Sequence, residues 1–206
     1  MKSGHLIKIT SSALGIDQAT VNFVARKLRE AGFLTTGARG VNAPDMTTRD
    51  AARLTLALMT GAPPNLIVDT FKIYRQFRND EFEQIETASV VRRLDFKQEN
   101  TAEDFLVYLF DFVSSHRVNV DSDISIFNLE YSVHERPAYV IFKNAGLELF
   151  FTPAHLPEMK KNELEGNPTS WSQLGLSRLF EEEGMHVKRQ ISFGEIEAIA
   201  SEFGTE

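Results

Sequence analysis

The sequence predicts an α+β chain. Its N-terminal head is built on two short helices meeting at a tight turn, and its C-terminal body is a set of helices packed on a small antiparallel sheet. Three observations carry that expectation. Residues 11–32, SSALGIDQATVNFVARKLREAG, read as helix, glycine turn, helix. Beyond residue 100, aromatic helical stripes are followed by alternating apolar and polar runs around a short Asn144-Ala145-Gly146 turn. Charge is also divided: residues 1–60 hold eight basic and four acidic side chains, a formal +4. The whole chain is −7, which leaves −11 on residues 61–206.

The head is the most informative part. Gly15 sits where the backbone turns into the positive-φ region that glycine enters cheaply. Leu14 and Ile16 flank it and point toward a small shared core. Asp17 is placed to cap the second helix, because its carboxylate can accept orphan backbone N–H groups. Val21, Val24, Ala25 and Leu28 then recur at helical spacing and form one face. This is the layout of a helix-turn-helix, whose second helix enters the DNA major groove.

At about 100° per residue, Ala19, Asn22, Phe23 and Arg26 point away from that apolar stripe. Asn can pair with adenine and Arg with guanine through two hydrogen bonds each, and Ala19 or Phe23 can touch a thymine methyl. Thr20, Lys27 and Arg29 lie at the margins, where phosphate contacts position a helix without reading sequence. Gln18, at the start of this second helix, completes the set. The following loop carries Thr35, Thr36, Gly37, Arg39, Gly40 and Asn42, and Arg39 is placed to reach a phosphate or a minor groove. The competing reading is a helical hairpin with a solvated outer face and a flexible turn.

The string small-x-x-Leu-Gly-Ile-Asp-x-x-Thr-Val, closed by Leu-x-x-Ala-Gly-Phe-Leu at residues 28–34, resembles winged helix-turn-helix DNA-binding proteins over residues 3–60. The resemblance implies that the Leu-x-x-Ala-Gly ending leads the recognition helix into the first strand of a wing. Such domains have a full helix before the pair, and few residues precede Ser11 here. The first helix must therefore start near Ser3, or its support must come from Thr47 onward or from a second chain. Residues 35–52, TTGARGVNAPDMTTRDAA, are also similar to uncharacterised proteins of bacterial prophages.

Thr47 and Asp50 make a near capping box for a helix through Ala51, Leu54 and Leu58 to Gly61. Pro63 and Pro64 end it, and the head–body boundary falls there: 1–62 as the DNA-binding domain, 63–206 as an α+β dimerisation or partner-binding domain. A tight turn inside one domain is the alternative. A helix over 65–78 places Leu66, Ile67, Phe71, Tyr74 and Phe77 on its core side. Thr101 and Asp104 cap a further helix, whose Phe105, Leu106, Leu109, Phe112 and Val113 stripe is either core or a dimer face. ISIFNLEYSV, PAYVIFKN and LELFFTP read as three strands of a meander. Residues 153–169 read as a long loop, and Ser192 with Glu195 caps a last helix carrying Ile196, Ile199, Ala200 and Phe203.

Composition excludes several function classes. The chain has no cysteine, so disulfides, thiol catalysis and cysteine zinc sites are absent. No apolar run approaches the ~18 residues of a membrane span, and no signal-peptide core opens the chain, so a cytoplasmic protein away from membranes is expected. His5, His116, His134, His155 and His186 are scattered without metal-ligand spacing. Asp121 and Asp123 lack the other ligands of a calcium loop, and Glu181–Glu183 read as an exposed helix end. No catalytic residue, metal or cofactor is expected. The expected partners are double-stranded DNA, a second copy of the chain as a homodimer, and a protein partner for the C-terminal domain. The function expected is a sequence-specific transcription regulator of phage or mobile-element origin. The alternative is a phage DNA-packaging recognition subunit or a protein-binding inhibitor of a host complex.

Overall fold

The computed structural model describes residues 1–38, 42–77, 101–115, 127–132, 139–144, 147–151 and 188–203. Its helices are α1 (Ser3–Leu14), α2 (Gln18–Glu30), α3 (Thr48–Thr60), α4 (Ile67–Tyr74), α5 (Ala102–Ser115) and α6 (Phe193–Ala200), the last running into a 3-10 turn, Ser201–Phe203. Local signals set their ends. Gly15, at φ 61°, closes α1, and Gly61, at φ 58°, closes α3. Asp17 caps α2 by accepting from Ala19 N–H at 2.9 Å and Thr20 N–H at 3.2 Å. Thr47 and Asp50 complete a full capping box at α3. The helix expected over 65–78 is shorter, because Leu66 offers no side-chain cap and the chain leaves the helix at Arg75.

The expected fold class, helices of the body packed on a small antiparallel sheet, is overturned by the packing. The well-defined part of the chain is 71% helical, and no sheet supports it. Its buried apolar side chains come from α1 to α6, from Leu34, Met46 and Phe77 in the connections, and from Ile191. The physical reason lies in the helices themselves. Nearly every residue of α3 from Asp50 to Thr60 is buried, and α5 buries Ala102, Glu103, Phe105, Leu106, Val107, Leu109, Phe110 and Val113. A helix apolar on most sides must be covered on most sides, and its own pattern does not say by what. Here α3 packs against α4 and α5, and α6 packs against α1 and α5.

Backbone ladders do pair β1 (Phe127–Ser132), β2 (Tyr139–Asn144), β3 (Leu147–Phe151) and β4 (Lys188–Ser192) in the antiparallel order β3-β2-β1-β4. Leu129 stands opposite Phe142 on one side and Ile191 on the other. Among the described side chains, Ile191 joins these ladders to the core. No strand occurs among the described residues between α2 and α3, where the wing was expected. The α5 stripe, weighed above as a dimer face, lies inside its own chain, with Tyr108 and Phe112 half-buried at its edge. No helix of the described residues is long and apolar enough to cross a membrane.

Candidate nucleic-acid interface

The turn between α1 and α2 is held from both sides. Ile16 N–H donates to the Ser11 carbonyl at 3.1 Å, and Ser11 Oγ donates back to the Ile16 carbonyl at 2.6 Å. With Gly15 left-handed, this fixes the angle at which α2 leaves α1. Val21, Val24, Ala25 and Leu28 are buried on the inner face of α2. The support missing on the N-terminal side is supplied by α1, which starts at Ser3, and by α3, which packs against both.

The outer face of α2 presents Gln18, Ala19, Thr20, Asn22 and Arg26 to solvent, with Phe23, Lys27 and Arg29 half-buried. Asn22 and Arg26 are one turn apart. Arg26 Nε lies 3.7 Å and Lys27 Nζ 3.6 Å from the two carboxylate oxygens of Glu30. Both cations also sit over the Phe23 ring, at 5.4 and 5.8 Å from its centre. Exposed pairs of this kind contribute at most about 1 kcal/mol and exchange readily for a phosphate or base edge. Arg29 is engaged inside the chain, donating through Nη2 to Ser3 Oγ at 2.7 Å. Arg39 lies outside the described residues, as do the Asp121/Asp123 pair, the Glu181–Glu183 run, the 153–169 loop and every histidine except His5. His5 Nε2 meets Glu202 Oε2 at 3.1 Å.

The formal +4 of the first sixty residues overstates the cation available to a phosphate backbone. Lys2 is bound to Asp45 and to the Ala43 carbonyl. The N-terminal ammonium and then Lys2 hold the exposed Asp45 carboxyl below the ordinary carboxylate range. Arg53 is half-buried and paired with Glu103. Lys8, Arg26 and Arg49 remain exposed, with Lys27 half-exposed.

The loop after α2 is tied down although it forms no wing strand. Asp50, 2% exposed, accepts from Thr35 N–H at 2.8 Å and Thr35 Oγ1 at 2.9 Å, besides its capping contacts with Thr47. Gly37 lies flat on Pro44, where a Cβ would come within 2.9 Å of the ring. Met46 N–H donates to the Met1 carbonyl at 2.7 Å. The base of the loop is thus anchored by α3 and by the first residues of α1.

Sequence reasoning missed one cluster. Glu103 on α5, Arg53 on α3 and Arg75 after α4 form an ion triad beside Phe33, the carboxylate buried and both arginines half-buried. A signal was present: Arg53 stands among Ala51, Ala52, Leu54 and Leu56, and a cation in such a run needs a buried acid. Which acid answers it was not readable, because Glu103 is fifty residues away. Comparison of the chain with family models, with curated proteins and with solved structures returns no match.

Proposed function

We propose that the chain binds double-stranded DNA through the outer face of α2 and acts in the cytoplasm as a transcription regulator. The observation that carries the reading is the separation of faces on α2. Its apolar stripe is wholly buried while Asn22 and Arg26, one turn apart, stand exposed on the other side of a tightly held turn. Those two side chains are the ones able to make paired hydrogen bonds to base edges. We further propose that the regulator works as a homodimer. One short helix gives limited affinity, and paired half-sites are the usual remedy. With the α5 stripe buried, the dimer has to use another surface, and light scattering at micromolar concentration tests it.

Fluorescence-anisotropy titration of the intact protein against its own promoter and against random duplexes tests DNA binding. Affinity should fall steeply with salt as phosphate contacts release counterions. Asn22→Ala or Arg26→Ala should each weaken the preferred site by about 1–3 kcal/mol and relax its sequence preference. Both side chains are exposed, so circular dichroism and melting temperature should be unchanged. Absence of binding to any duplex at low salt sinks the proposal. Unchanged site preference in both folded variants removes α2 as the reader.

A further inference from the structure

We infer that Glu103 latches the exit of α2 to α5, so that the DNA-facing helix keeps its binding geometry only while α5 is docked. The inference rests on the reading of α2 as the DNA-facing helix. Its basis is the ion triad around Glu103. Glu103 is 3% exposed at its side chain and receives two guanidinium groups, Arg53 through Nε at 2.8 Å and Arg75 through Nε on its other oxygen.

Each arginine then reaches Phe33, which follows directly on the end of α2. Arg53 Nη1 donates to the Phe33 carbonyl at 2.8 Å. The Arg75 guanidinium lies over the Phe33 ring at 5.1 Å and over Phe71 at 5.8 Å, while the two rings meet edge to face at 5.1 Å. The backbone closes the same joint. Glu103 N–H donates to the Arg75 carbonyl at 3.3 Å, and Ala102 N–H to the Phe77 carbonyl at 2.8 Å.

One carboxylate therefore organises both groups that hold the α2 exit. Without it, two half-buried guanidinium ions would face each other unpaired, and they would separate or draw in water. Arg53 would leave the Phe33 carbonyl and Arg75 the Phe33 ring. The break is local to the far end of α2. Its start is held independently by Asp17 and the Ser11–Ile16 contacts. A motion of α5 is thereby converted into a change in how α2 and the following loop are presented.

The test is Glu103→Gln in the full chain, read by hydrogen exchange and by anisotropy on a random duplex at low salt. Ala31, Gly32 and Phe33 donate to Lys27, Arg29 and Leu28 carbonyls, and Thr35 donates to Asp50, so these four amides report on the exit. They should exchange about tenfold faster, with the Ile16 and Val21 amides at the start of α2 unchanged, and duplex affinity should fall by about fivefold or more. Equal acceleration at Ile16 and Val21 would show a loss of overall stability and overturn the latch. So would an unchanged Phe33 amide, or local loosening with full duplex affinity. If Glu103→Gln does not fold, Arg75→Gln, which leaves the Arg53–Glu103 pair in place, should loosen the same four amides. If the unaltered chain binds no duplex, the DNA reading falls and the exchange pattern alone decides whether the latch exists.

Discussion

Asp50→Ala is expected to cost about 2–4 kcal/mol of folding stability, because it strips a buried acceptor from two part-buried backbone donors and removes a helix cap at once. Thr35 N–H and Thr47 N–H both end on this carboxylate, at 2.8 and 2.7 Å, and both threonine hydroxyls donate to it at 2.9 Å. Hydrogen bonds to a charged acceptor contribute about 1.5–3 kcal/mol, and a buried donor left without one costs about 1–3 kcal/mol. For a chain of this size the melting temperature should drop by roughly 10 °C. Asp50→Asn should fall between, since its single carbonyl oxygen can serve only part of the four donors. Urea unfolding of the three proteins measures the series. A loss below about 1 kcal/mol for Asp50→Ala would mean that water replaces the carboxylate and that the loop anchor carries no weight.

The α1–turn–α2 pair and its caps were legible because they depend on neighbours in sequence. Gly15, Asp17, and the Thr47–Asp50 box act within four residues, and the period of Val21, Val24, Ala25 and Leu28 names the buried face directly. Asp50 was visible as a cap but not as the anchor of Thr35. That role depends on how the loop folds back, which no local pattern states. The wing was an inference from resemblance, and the described loop is instead fixed by side chains and by Gly37 against Pro44. The sheet-supported body failed for a different reason. A continuous aromatic stripe such as Phe105, Leu106, Leu109 and Phe110 says that a helix is buried, and is silent on whether a sheet or other helices bury it. Charge was the least reliable guide. Net charge counts Arg53, Arg29 and Lys2 as though they were unpaired, whereas each has a partner inside the chain.

Ile199→Ala should destabilise the protein by about 2–5 kcal/mol, the range for truncating a fully buried isoleucine, and the loss should be felt in α1. Ile196, Ile199 and Ala200 are all at 0% exposure, and α6 packs against α1 and α5. The end of the described chain thus lies against α1. A division at residue 62 into two self-sufficient units would leave α1 and α2 indifferent to a side-chain truncation near residue 200. Coupling is expected instead, because Leu6 and Ile7 of α1 belong to the same buried cluster as Ile196 and Ile199. Urea unfolding followed by far-ultraviolet circular dichroism should show one transition, shifted to lower denaturant, and the Leu6 amide should lose exchange protection together with the α5 amides. Two separated transitions, with Leu6 protection unchanged, would show that the head folds by itself and that its contact with α6 is a dispensable dock. In the cooperative case α2 stands on a foundation assembled from both ends of the chain. Under the proposed function, mutations far from α2 would then weaken DNA binding without touching a base or a phosphate.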